Sequence, residues 1–193
     1  MFAAMDDRPT AYAPEVPTNG THLGPPSRRR AHLLLCALIV ATAALWLFRH
    51  MERPLTGDSV RYAAIARRMV ESGDWVQPRV MDILDWWKPP LSYWLVAASF
   101  EVLGPTPFAS MIPSTLAGVA LVLLVFLVME RLAGPLAGVA ASLLILFTPG
   151  FAEHTVTCRL ESLLQLLTLL ALVALERARA RPAWFLAFWA LVG

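Results

Sequence analysis

The sequence predicts an all-α membrane protein that crosses the bilayer several times and carries short juxtamembrane helices in an external loop. Three observations predict it. Of 193 residues, 58% are apolar and 16% charged, against roughly 45–50% and about 25% in an ordinary soluble domain. The mean hydropathy is +0.59. The charges are also segregated, with 13 of the 30 Asp, Glu, Lys and Arg between Arg49 and Lys88, as expected of apolar spans joined through one polar loop. A net charge of +2 without a basic run beyond Arg28–Arg30 excludes nucleic acid as a partner. Cys36 and Cys158 have no pairing or ligand spacing and read as packing residues.

Residues 1–30, with Pro9, Pro14, Pro17, Pro25 and Pro26, show no periodicity and read as a disordered cytoplasmic tail. Asn19-Gly20-Thr21 in that tail is a chance match to a glycosylation acceptor. The membrane module follows over 31–193. Ala31–Phe48 is an uncharged run of spanning length, and the arginines before it hold the N-terminus inside. A cleaved signal peptide is the competing reading. The continued apolar run through Leu45, Trp46, Leu47 and Phe48 favours an uncleaved anchor.

The loop at 49–90 is thereby delivered outside. In it, Asp58 or Ser59 suits a helix cap, and Tyr62, Ile65, Ala66 and Met69 form an apolar stripe that ends near Gly73. This helix is expected on the membrane surface. A second short element, Val80–Trp87, brings Trp86 and Trp87 to the headgroup level, and Lys88-Pro89-Pro90 makes a stiff break. Apolar segments follow at 91–103, 112–129, 135–148 and 162–175, and a last one starts at Ala183 and looks cut short at Gly193. Arg177, Arg179 and Arg181 mark the inside, so Arg159 and Glu161 share the outer side with Asp58, and Arg131 lies inside. This parity leaves 91–103, too short for an ordinary span, as a re-entrant or tilted segment, or as one that pairs with 112–129 in a way parity counting misses.

Asp58, Arg61, Tyr62 and Ile65 share one helical face, placing an acid, a permanent cation and a phenol together. Such a face suits an anionic ligand, and equally a cap beside a solvated charge. Lys88 is placed either as an interfacial anchor or as a point charge for a lipid phosphate. Glu161 opens a helix, where an acid favours the dipole, and returns a second carboxylate to the side of Asp58. His154 beside Glu153 is too isolated for a ligand set, so neither metal nor cofactor is expected.

Together GDSVRYAAIARRMVESGDWVQP, WKPPLSYWL, FASMIPSTLAG and TPGFAEHTVTCRLESLLQLL resemble the N-terminal part of the integral-membrane glycosyltransferases of the GT-C fold that use polyprenyl-phosphate sugars. The lipid A aminoarabinose transferases and protein O-mannosyltransferases are the nearest groups, and the resemblance runs from about Leu55 to Glu176. It implies Asp58 and Glu161 as catalytic acids, and Arg61, Tyr62 and Lys88 as the residues that hold the carrier phosphate. It implies a polyprenyl-phosphate sugar donor, a lipid, glycan or protein acceptor, membrane lipids as surroundings, and inversion at the anomeric carbon. The chain departs from the family pattern at Ser59 and Trp87, where Glu is common, and at Met111, where Arg is usual. Family members are also several times longer. A non-catalytic or truncated membrane subunit of the same fold is therefore the alternative. A transporter fits less well, because the charges sit in loops and at helix ends.

Overall fold

The computed structural model describes residues 25–51, 54–81, 83–85 and 88–192. Among them lie eight helices and one two-stranded hairpin, in the order α1 (Pro25–Arg49), α2 (Asp58–Ser72), β1 (Arg79–Val80), β2 (Ile83–Leu84), α3 (Leu91–Leu103), α4 (Pro107–Ala133), α5 (Pro135–Leu146), α6 (Pro149–Thr155), α7 (Glu161–Ala178) and α8 (Ala183–Val192). The fold is thus the polytopic helical membrane fold that the sequence predicts. By length and composition, α1 and α4 can each cross a membrane, and α5 with α6 forms a third apolar unit bent by 68°.

The start of α1 precedes the expected boundary, since residues 25–30 are helical; the rest of the expected tail, Asn19 included, lies outside the described residues, as do Trp86 and Trp87. The segment expected at 112–129 begins at Pro107. Thr106 caps it, its Oγ1 accepting from the Ala109 N–H at 3.1 Å, and Pro107 fits the first turn because no N–H is needed there. Pro113, inside α4, removes the N–H that would bond the Ala109 carbonyl. Ser99 on α3 takes that place, its hydroxyl donating to Ala109 O at 2.6 Å. The segment expected over 135–148 is α5, which ends at Leu146, and Pro149, which cannot continue its hydrogen-bond ladder, opens the separate short helix α6.

The hairpin pairs Arg79 with Leu84 and Val80 with Ile83, turning through Met81 at φ 46°. On α2 the expected stripe is the buried face, and Gly73 ends the helix with φ 71°, a left-handed cap that glycine adopts without strain. The N-cap differs from expectation: Gly57 holds that position, no side chain caps it, and Asp58 is the first helical residue. Asp58 is therefore released from a capping role.

Two buried clusters hold these elements. One joins Ile39, Ala43 and Leu47 of α1 to Leu121, Val122 and Phe126 of α4, with Leu146 and Phe151 beyond. The other joins Tyr62, Ile65 and Met69 of α2 to Tyr93, Val96 and Phe100 of α3, closed by Ala109 and Cys158. The 13-residue α3 is thus packed on α2 and α4. Glycines bring α4 against its neighbours: a Cβ at Gly118 would sit 2.1 Å from the Thr155 methyl, and one at Gly138 2.9 Å from Phe126.

The polar residues separate to the two ends of this bundle. At one end His32 Nδ1 lies 3.0 Å from Glu130 Oε1, tying the start of α1 to the end of α4, and Arg131 borders a cavity shared with Glu176 and Arg177. At the other lie Asp58, Arg61, Arg159 and Glu161.

Candidate functional site

The second end is built by α2, the hairpin, and the turn between α6 and α7. Its centre is Arg159. Nη2 of Arg159 stands 3.7 Å from Asp58 Oδ2, and Nε stands 3.8 Å from Glu161 Oε1. Both distances exceed a hydrogen bond, so the guanidinium is balanced between two carboxylates without being locked to either. Nη1 donates to His154 Nδ1 at 3.0 Å. The backbone beneath is fixed by Ser114 of α4, whose hydroxyl donates to Arg159 O at 2.7 Å and accepts from Arg159 N–H at 3.3 Å. That bond is possible because Gly118 admits α6 against α4, where Thr115 donates to Thr155 O at 3.4 Å and Ser162 to Thr155 Oγ1 at 3.0 Å.

Glu161 has one oxygen to spare. Its Oε2 is buried and has no hydrogen-bond partner among the described residues, a cost of about 1–3 kcal/mol when a polar group stays unmatched. A buried carboxylate oxygen without a donor can accept a hydroxyl. Asp58 is well exposed, with 62% of its side chain accessible.

A second arrangement stands beside it. Arg61 Nη2 donates to Asp85 Oδ1 at 2.7 Å, and the Tyr93 hydroxyl donates to Asp85 Oδ2 at 3.3 Å. Asp85 is only 3% exposed, whereas Arg61 remains 47% exposed. The ring of Tyr93 packs on that of Tyr62, with centroids 5.4 Å apart. Tyr62 joins the two groups: burial above all, then the negative charges of Glu161 and Asp58, push its phenol above the ordinary value, against the pull of Arg159 and Arg61. It remains a protonated donor at neutral pH. Tyr62, Ser92, Pro113, Ser114, Cys158 and Arg159 line a crevice of about 10 Å³, room for one water and no more.

Of the five residues expected from the sequence, Asp58, Arg61, Tyr62 and Glu161 meet at this end. Lys88 is exposed in the turn before α3, and no ion pair among the described residues connects it to the cluster. Arg61 and Asp58 share a helix face but take different partners, Asp85 and Arg159. Ser59 and Met111 are buried at 2% and 0%, so neither presents a polar head to the site. Arg159 and Asp85 were not among the expected site residues. The spacing of Arg159 two residues before Glu161 was a usable signal, whereas nothing local to Asp85 marks it. Among the described residues, no group of three or more His, Cys, Asp or Glu side chains is arranged to hold a metal ion.

Residues 87–193 match the model of the dolichyl-phosphate-mannose-protein mannosyltransferase family. The chain belongs to this family. The resemblance carried by its motifs is also met by individual relatives. It is 36% identical over 130 residues to an undecaprenyl phosphate-alpha-4-amino-4-deoxy-L-arabinose arabinosyl transferase of Pseudomonas fluorescens, covering 64% of this chain and 22% of that protein. A transferase of the same name from Pseudomonas savastanoi pv. phaseolicola is 32% identical over 176 residues, covering 86% of this chain and 31% of the relative. The fold is similar to the crystal structure of ArnT from Cupriavidus metallidurans bound to undecaprenyl phosphate, with a TM-score of 0.71, 26% identity, and coverage of 80% of this chain and 30% of that one. The chain therefore spans about a third or less of the length of these relatives. The shared fold is that of the GT-C membrane glycosyltransferases, and the chain is a multi-pass membrane protein.

Proposed function

We propose that the full-length protein transfers a glycosyl group from a polyprenyl-phosphate sugar to a lipid, glycan or protein acceptor at the external face of the inner membrane, with inversion. The observation that carries this reading is the Asp58–Arg159–Glu161 cluster, in which one guanidinium is loosely shared by two carboxylates at a bundle end. The names of the relatives, which specify undecaprenyl-phosphate-linked aminoarabinose, support the donor class.

The chemistry follows from the charges. The acceptor hydroxyl attacks the anomeric carbon opposite the carrier phosphate, forming a new C–O bond as the bond to the phosphate oxygen breaks. Its proton passes to the exposed carboxylate of Asp58, and Glu161 Oε2 orients the acceptor by accepting from a second hydroxyl. The departing phosphate gathers negative charge, which Arg159, Arg61 and Lys88 stabilise and the Tyr62 hydroxyl hydrogen-bonds. Arg159 suits this role because an arriving phosphate competes with two carboxylates that hold it only from 3.7 and 3.8 Å. No resident cofactor or metal enters the scheme. Arg28–Arg30 and Arg177–Arg181 support a reading with the opposite end inside the cell and the site outside.

The test is transfer from undecaprenyl-phosphate aminoarabinose by the full-length protein and its Asp58→Asn variant in proteoliposomes. Loss of about 10²–10⁴ in turnover at unchanged expression is expected for a missing proton acceptor. Equal turnover of the variant would remove Asp58 from the chemistry. A wild type without transfer would favour the alternative, a non-catalytic or truncated membrane subunit of the same fold.

A further inference from the structure

Asp85 is the most deeply buried acid near the site, yet nothing in the transfer scheme uses it. Its backbone N–H donates to Pro78 O at 2.8 Å, which closes the base of the β1–β2 hairpin. Its carboxylate spends one oxygen on Arg61 of α2 and the other on the Tyr93 hydroxyl of α3. One side chain thus ties α2, the hairpin and α3 together. Burying a charge at 3% exposure carries a desolvation cost that a well-packed apolar residue would avoid, so stability alone is a weak reason to keep it there. Placement is a better one. Among the described residues Arg61 is engaged only through Nη2, and its side chain is 47% exposed, so donors of the fork remain for an incoming anion.

We propose that Asp85 is a positioning residue of the donor-phosphate site, which holds Arg61 in place with donors to spare for the phosphate. The inference rests on the donor reading above and adds to it the residue that sets phosphate affinity from beneath.

The experiment measures undecaprenyl phosphate binding to the full-length protein in detergent, with thermal unfolding in parallel. Asp85→Asn should weaken binding about tenfold, the scale of one charge-assisted hydrogen bond. Asp85→Glu should restore part of it. The double variant Asp85→Asn with Arg61→Gln should bind no worse than Arg61→Gln alone, because the acid acts through the arginine. Tyr93→Phe, which keeps the ring, serves if Asp85→Asn does not fold, and should weaken binding about threefold through loss of the hydroxyl. A lowered unfolding temperature with unchanged binding in Asp85→Asn, or in Tyr93→Phe where Asp85→Asn does not fold, would overturn the proposal and leave the donor reading intact, as would multiplicative losses in the double variant. A wild type that does not bind undecaprenyl phosphate would overturn both.

Discussion

Two arginines of the same bundle end are treated differently by the fold. Arg61 meets a buried carboxylate at 2.7 Å, whereas Arg159 hangs between two more exposed carboxylates at 3.7 and 3.8 Å. The first is a fixed charge in a prebuilt seat. The second has a fixed backbone, pinned by Ser114, and a head that hydrogen-bonds His154 but holds neither carboxylate at hydrogen-bond distance. The difference teaches how a site can be rigid enough to orient a phosphate and still offer a cation that answers to it. A pair locked at hydrogen-bond distance with a buried acid exchanges slowly, while one in loose contact near solvent loses little when an anion intervenes.

This contrast can be broken most severely at Arg159. Arg159→Gln removes the cation that Asp58 and Glu161 share, and turnover of the full-length protein should fall about 10²–10³-fold, as when one preorganised donor to a developing anion is lost. A fall no larger than that of Lys88→Ala would erase the distinction. The next effect concerns the segment beside it. Cys158 is 1% exposed, and burial pushes its thiol up to about 12. The fold favours the neutral thiol, so its contribution is complete below about pH 9 and is lost as pH rises toward 12. Maleimide labelling at pH 8, read on the peptide that carries Cys158, should therefore run about a hundredfold or more below a free cysteine, and recover on denaturation. Prompt labelling would show that the Arg159 turn opens.

A smaller change is expected from Gly118→Ala. The added methyl meets the Thr155 side chain, which is fully buried, and overpacking of this kind costs about 1–3 kcal/mol. Thermal unfolding of the full-length protein should register it, with turnover lowered because α6 is pushed from α4. The least effect belongs to Arg67 and Glu71 on α2, an i,i+4 pair at 2.6 Å whose side chains are both more than half exposed. Glu71→Ala should alter stability by no more than about 0.5 kcal/mol and leave turnover unchanged. A large effect there would mean that short distance, rather than burial, sets the worth of these pairs.

The helices were legible because their signals are local. Apolar runs of spanning length, the Tyr62–Ile65–Met69 stripe and Gly73 each lie within a few residues of the feature they specify. Asp58, Arg61, Tyr62 and Glu161 were legible as chemistry through spacing and motif, and the fold brings them to one end. Asp85 was hidden because its partner is 24 residues away and its burial depends on how the hairpin folds back on α2 and α3. The grip of Ser114 on Arg159 spans 45 residues and depends on the close approach at Gly118, a contact that no window along the chain contains. The break after α5 lies where the expected segment 135–148 ends, before Pro149, whereas the short helix α6 beyond it had no local signal of its own.

The most direct test of a lipid-phosphate site at this end is the affinity of the full-length protein for undecaprenyl phosphate, compared between wild type, Arg159→Gln and Glu130→Gln. The site reading predicts binding by the wild type, a loss of about tenfold or more in Arg159→Gln, and no change in Glu130→Gln, whose partner His32 lies at the opposite end. Equal affinity in all three proteins, or an equal loss in both variants, would contradict it.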